Sequence, residues 1–330
     1  MADKKGAGAI TEQYYTPPPK LSGWESFRIF MWNGETGEFL GRTAASWGKI
    51  LVFYCIFYAA LSGFFAGLLA VFWQTLDPER PKWELGESLI GTNPGLGFRP
   101  MPPEAHLGST LIWYKSNRPD NMIYWHDTVN KFLDEYIEPK FEENIDSECN
   151  FGRIATSGKY CPFKIESLDN CSPGKTDRKY GFPEKKPCVY LKLNKIYNWI
   201  PRVFNETDES QISDEHERSQ YRKMPDFLKE AIAQTRNPAE RNLIWVSCEG
   251  ESPADVENLG PVHYSPRRGF PAYYFPYKNV KGYQPPVVAV QFERPKPGVL
   301  INIECKAWAK NILYERAERK GSVHFELMID

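Results

Sequence analysis

Residues 50–73 read ILVFYCIFYAALSGFFAGLLAVFW, 24 positions without a charge, a proline, an asparagine or a glutamine. At 1.5 Å per residue such a helix is about 36 Å long, enough to cross a hydrocarbon core of ~30 Å with some tilt. Lys49 closes one end, and Trp73 stands at the other as an interfacial anchor. A core helix of a soluble domain would show a polar face over this length. A cleaved signal sequence would be shorter and nearer the N-terminus. The stretch therefore divides the chain into a tail (residues 1–49), a transmembrane helix (50–73) and a large C-terminal part (74–330).

Basic residues do not orient the span. The 20 residues before it carry Arg42 and Lys49, the 20 after it carry Arg80 and Lys82, and the count is a tie. Cysteines and glycosylation sequons break the tie. Cys149, Cys161, Cys171, Cys188, Cys248 and Cys305 all lie after the span, as do Asn170-Cys171-Ser172 and Asn205-Glu206-Thr207. An even cysteine set with sequons fits an oxidising, glycosylating compartment. The expectation is a single-pass type II protein with a cytoplasmic tail, an extracellular disulfide-bonded domain, and glycans at Asn170 and Asn205.

Composition narrows the rest. In 330 residues, 41 Lys+Arg stand against 42 Asp+Glu, so the basic footprint of a bulk nucleic-acid binder is missing and no nucleic-acid partner is expected. Mean hydropathy of −0.52 excludes a polytopic membrane protein. Pro17-Pro18-Pro19 favours polyproline II, with disorder expected to about residue 22, while the aromatic-rich stretch 24–47 is read as lying at the membrane surface. Residues 77–110, rich in Pro and Gly, read as an extended stalk. Helical spacing appears at 126–143, with Asp127 as N-cap and Pro139 as terminator, and again at 225–236. Between them, 204–217 is acidic and reads as an exposed loop. Strand alternation marks 299–306 and 323–329, and shorter strands are expected at 188–193, 243–248 and 286–292. Short alternating strands joined by Pro/Gly loops predict an antiparallel sandwich, mainly β with one or two helices.

Six cysteines allow 15 connectivities, so sequence alone leaves the pairing open. Nearest neighbours are the simplest choice, and a Cys248–Cys305 bridge could staple two strands as in an immunoglobulin-type core. Cys55 lies in the span and reads as a small apolar residue. No catalytic pattern emerges: the chain has no phosphate loop, no His-Glu-x-x-His, no Gly-x-Ser-x-Gly and no Asp-x-Asp. His106, His126, His216, His263 and His324 are scattered, and Glu142-Glu143 sits on a solvated helix end. Neither a cofactor nor a metal is implied. The missing Asp-x-Asp weighs against a type II glycosyltransferase; a cell-adhesion glycoprotein remains an alternative.

The span has two faces. At 100° per residue, Ala59, Gly63, Ala66, Gly67 and Ala70 share one stripe, and Tyr54, Tyr58, Leu61, Phe65 and Phe72 fall nearly opposite. Gly63-x-x-x-Gly67 lets a neighbouring helix approach, and the two tyrosine hydroxyls want partners inside lipid. A lipid-facing anchor and a helix built to pack on another membrane protein are both compatible with that pattern.

Phe39-Leu40-Gly41-Arg42-Thr43, Ser46-Trp47, Lys49-Ile50-Leu51 and Phe53-Tyr54-Cys55-Ile56-Phe57-Tyr58 resemble the lead-in and span of Na,K-ATPase β subunits. The far end agrees, at Tyr274-Phe275-Pro276-Tyr277, at residues 284–292 (QPPVVAVQF) and at Glu304-Cys305-Lys306-Ala307-Trp308. The resemblance implies a non-catalytic subunit with an immunoglobulin-like ectodomain in the plasma membrane. Such a subunit is needed for folding, delivery and stability of the catalytic α subunit, and it tunes potassium binding. The resemblance also implies disulfides between neighbouring cysteines. Its contacts with the α subunit map to Tyr54, Tyr58, Gly63, Gly67 and the run Tyr274, Phe275, Tyr277, where Phe275 and Lys278 depart from the family's Tyr-rich form. Membrane lipid and a small single-span regulatory subunit are further expected partners. The H,K-ATPase β subunit shares this plan and is the alternative identity.

Overall fold

The computed structural model describes residues 22–103, 105, 108–138 and 141–330. Pro17–Pro19, His106 and Pro139 lie outside the described residues. The chain divides at Leu76 into a first unit and a second, Asp77–Asp330.

In the first unit, helix α1 (Gly23–Met31) opens on a capping box. The Ser22 hydroxyl accepts from the Glu25 amide while the Glu25 carboxylate accepts from the Ser22 amide, so two orphan donors are satisfied reciprocally. Strands β1 (Trp32–Asn33), β2 (Glu38–Phe39) and β3 (Arg42–Thr43) follow as a small antiparallel sheet. Gly37 and Gly41 turn the chain at φ 65° and 69°, a region that favours glycine. Helix α2 (Ala44–Gln74) is 31 residues long and is capped by Thr43, whose hydroxyl accepts from the Ser46 amide. The helix thus starts six residues before the apolar run at Ile50. Capping decides where a helix begins, whereas side-chain polarity decides where lipid begins. None of α2 is buried against protein, and its most apolar window has a mean hydropathy of 2.1.

The second unit is mainly β with a few helices. Strands β4 (Leu96–Arg99), β6 (Cys188–Leu193), β10 (Val288–Phe292) and β8 (Val262–Ser265) form one sheet in that order. The other sheet runs β5 (Leu111–Tyr114), β12 (Ser322–Ile329), β11 (Ile301–Trp308), β7 (Leu243–Gly250) and β9 (Gly269–Pro271). Along β11, Ile301, Ile303, Cys305 and Ala307 are buried while Asn302, Glu304 and Lys306 are half-buried on the other face. Side chains from both sheets meet in one core, where the Phe98 ring stacks on Phe325 at 4.9 Å and Phe292 lies 6.1 Å from Phe325.

Several expectations need correction. The sheets are not wholly antiparallel: β5 runs parallel to β12, with Leu327 opposite Ile112. Helix α3 is Pro119–Ile137, not 126–143; Pro at its first position starts it about two and a half turns earlier than an Asp127 cap would. It buries Met122, Trp125, Val129, Leu133 and Tyr136. The segment 204–217 is not simply an exposed loop. Phe204 and Ile212 are buried in a second, smaller core with Tyr221 of α4 (Glu215–Arg222) and with Leu228 and Ile232 of α5 (Asp226–Gln234). Lys310, itself largely buried, pairs with both Glu206 and Glu217, and Arg202 also pairs with Glu217. The remaining helix, α6 (Pro253–Leu259), starts with a Ser252/Asp255 capping box.

Disulfides join Cys149–Cys161, Cys171–Cys188 and Cys248–Cys305. The third is not an immunoglobulin-type bridge between sheets. Cys248 and Cys305 face each other on β7 and β11, neighbours in one sheet, with Cα atoms 4.0 Å apart. The Cys248 amide points the other way, past the end of β9, and donates to the hydroxyl of Tyr264 on β8 at 2.8 Å. That bond, not a disulfide, ties the two sheets together at this point.

Candidate functional site

The helix α2 presents two different surfaces. Tyr54 and Tyr58, one turn apart, stack with centroids 6.0 Å apart and stand 49% and 57% exposed. At Gly63 and Gly67 an added Cβ would meet nothing within 4 Å, so that stripe is an open, shallow face. The arrangement suits a helix that accepts a neighbour, since packing against small residues is what drives association in lipid.

The second unit carries an aromatic cluster around residues 273–283. Within the expected run, Tyr274 is a core residue: its hydroxyl donates to the Pro162 carbonyl at 3.2 Å, and burial pushes its phenol far above the usual range. The outward share of the run falls to its neighbours. Phe275 meets Trp199 edge-on at 5.6 Å and is half-buried. Tyr277, also half-buried, donates to the Asn279 side chain at 2.8 Å. Three residues that sequence reading missed complete the cluster. Tyr197 lies 6.4 Å and Tyr283 5.0 Å from Tyr277, and the Lys195 ammonium sits over both Tyr277 and Tyr283 at 5.3 and 5.6 Å. A bridge between Tyr197 and Tyr277 brings together segments 80 positions apart, which no local pattern could reveal. Under them is a cavity of about 210 Å³ lined by Tyr136, Phe141 and Gly282. The Asn279 amide also donates to the Glu79 carbonyl, holding this cluster beside the first residues of the unit.

Polar groups elsewhere form structural bonds. His324 is held between Glu251 at 2.5 Å and Glu326 at 2.8 Å on the outer face of the larger sheet. Among the described residues no group of three His, Cys, Asp or Glu is placed to hold a metal. Both sequon asparagines, Asn170 and Asn205, are exposed, while Cys171 and Ser172 beside the first are buried.

Sequence comparison gives the chain its relatives. The family described as "Sodium / potassium ATPase beta chain" matches residues 18–325. The chain belongs to that family. It is 44% identical to the sodium/potassium-transporting ATPase subunit beta-2 of Drosophila melanogaster, over 97% of this chain and 96% of the relative. It is 37% identical to the beta-1 subunit of the same fly over the whole of both chains. A probable beta-3 subunit of Caenorhabditis briggsae is 35% identical over 93% of this chain and 87% of its own. A beta chain is an accessory subunit of the pump and not its catalytic chain.

Proposed function

We propose that this protein is the non-catalytic β subunit of a sodium/potassium-transporting P-type ATPase. It would support folding, membrane delivery and stability of the catalytic α subunit and tune its potassium binding. The observation that carries the reading is the family match along almost the whole chain, on a chain with one long apolar helix and a disulfide-bonded β domain. In this reading α2 packs against the α subunit in the bilayer through Tyr54 and Tyr58 on one side and Gly63 and Gly67 on the other. Segment 74–330, an immunoglobulin-like sandwich in its two-sheet core, lies outside the plasma membrane in type II orientation. There Phe275 and Tyr277, with Tyr197 and Tyr283, meet the outer loops of the α subunit. The exposed tyrosine pair and the open glycine face support the first contact; the half-buried aromatic cluster supports the second.

Such contacts change transport only where they differ between conformations of the α subunit. The test is co-expression with an α subunit and purification in mild detergent. Replacing Tyr54→Ala with Tyr58→Ala should lower the yield of the complex or shift potassium activation. A variant complex with parental yield, detergent resistance and potassium dependence would remove the tyrosines from this role.

A further inference from the structure

The first unit holds a folded module ahead of α2 whose aromatic surface is exposed among the described residues. The ring of Phe30 on helix α1 lies against Gly41 in the turn between β2 and β3 and is itself 52% exposed. The amides of Leu40 and Gly41 donate to the carbonyls of Met31 and Phe30, fixing α1 to that turn. Trp24, Phe27 and Met31 occupy another stripe of α1 and stand 75%, 52% and 38% exposed, with the Trp24 and Phe27 rings stacked at 5.9 Å. Arg28 lies on the same stripe, and Ser26 faces the opposite side. Trp32 and Phe39 add exposed rings next to them. A cluster of this kind on a small module marks a binding surface rather than scattered surface residues.

The depth of the module identifies what covers it. The Trp47 indole N–H, in the first turn of α2, donates to the Phe39 carbonyl at 2.8 Å, folding the β2–β3 turn back alongside the helix. Trp47 is three residues, about 4.5 Å along the axis, before the apolar run begins at Ile50. The headgroup layer on each side of a hydrocarbon core is about 5–8 Å thick. Phe39, and through it Met31 and Phe30, are therefore held at headgroup depth. Charge gives no alternative anchor, because Arg28, Arg42 and Lys49 are balanced by Glu25, Glu35 and Glu38 across residues 22–49.

We infer that α1 and β1–β3 form a membrane-interface module, in which Trp24, Phe27 and Met31 insert into the headgroup–acyl boundary of the leaflet that α2 enters. The occupant of the surface is phospholipid, bound through apolar area and indole amphipathicity rather than through headgroup charge. The inference rests on α2 crossing the bilayer but not on any pump partner.

The test uses the full chain, with Cys55→Ala, in nanodiscs of phosphatidylcholine alone or with phosphatidylserine. Nitroxide labels are placed singly at Trp24→Cys, Phe27→Cys, Met31→Cys and Ser26→Cys, with Leu61→Cys as a marker of the span. Collision rates with oxygen and with a water-soluble nickel complex report depth. The expected result is a several-fold higher oxygen-to-nickel ratio at 24, 27 and 31 than at 26, at a depth of about 5–10 Å, in both lipid mixtures. Replacing Trp24→Ser and Phe27→Ser should return the label at 31 to water and leave the label at 61 unchanged. Equal ratios at 26 and 27, dependence on phosphatidylserine, or protection of the stripe only when an α subunit is reconstituted beside it would each overturn the inference. A water-exposed label at 61 would instead refute the spanning role of α2.

Discussion

The bond from the Cys248 amide to the Tyr264 hydroxyl makes a quantitative prediction. Cys248 is buried on β7 beyond the end of β9, so its N–H has no strand partner there, and the hydroxyl across the sheets is its acceptor. Tyr264→Phe removes that oxygen and little else. The amide is left buried and unpaired, which costs about 1–3 kcal/mol. For a domain of this size each kcal/mol moves the melting temperature about 2–4 °C, so a fall of about 4–8 °C is expected near the middle of that range. The assay is thermal unfolding of the purified full-length protein in detergent, with Tyr314→Phe as control, since the Tyr314 hydroxyl bonds Glu304 at an exposed site. Amide exchange at Cys248 should accelerate in parallel. Burial pushes the Tyr264 phenol up to about 12, against an ordinary value near 10. A raised folded-state value means the contribution is complete below about pH 10 and is lost as pH rises to 12. The gap between parent and Tyr264→Phe should therefore narrow over that window. A variant that melts with the parent, or falls no further than the Tyr314→Phe control, would refute the argument that this hydroxyl ties the sheets.

Three other outcomes follow from the structure. At Gly63 and Gly67 an added Cβ meets no atom of the described residues within 4 Å, so Gly63→Leu with Gly67→Leu should fold and reach the membrane normally, but recovery of a co-expressed α subunit in mild detergent should drop. Lys310→Met leaves the mostly buried carboxylate of Glu206 without a cation, while Glu217 keeps Arg202, and should cost about 3–5 kcal/mol in thermal or denaturant unfolding, much of it recovered by adding Glu206→Gln. Asn170→Gln and Asn205→Gln, made singly in secretory-pathway expression, should each remove one glycosidase-sensitive step in gel mobility; the absence of any shift in either would argue against the outward orientation of residues 74–330.

Much of the β domain was legible along the chain. The strand at 188–193 coincides with β6, and the alternation at 299–306 and 323–329 marks the buried faces of β11 and β12. Period-2 patterning survives along β11 and β12 because each keeps one face in the core, whereas β6 is buried on both faces and reads as a continuous apolar run. Strands β4, β5, β8 and β9, of three or four residues each, were missed because so short a run carries too little alternation to stand out. The acidic stretch 204–217 misled for a related reason. Phe204 and Ile212 are single apolar residues among charges, and only α4, α5 and the Lys310 ion cluster reveal that they are covered.

The chain by itself determined where lipid must lie, which residues alternate into a core, and which family it joins. An uncharged run, a period of two and a short motif are properties of consecutive residues, and neighbours in sequence carry them. Tertiary structure alone decided that Cys248 faces Cys305 within one sheet, that β5 joins its edge in parallel, and that Tyr274 is interior while Tyr197, Lys195 and Tyr283 gather round Tyr277. Those outcomes depend on which distant strands pair and in what register. That choice is made by the closing of long loops and the filling of a shared core, not by any local stretch of side chains.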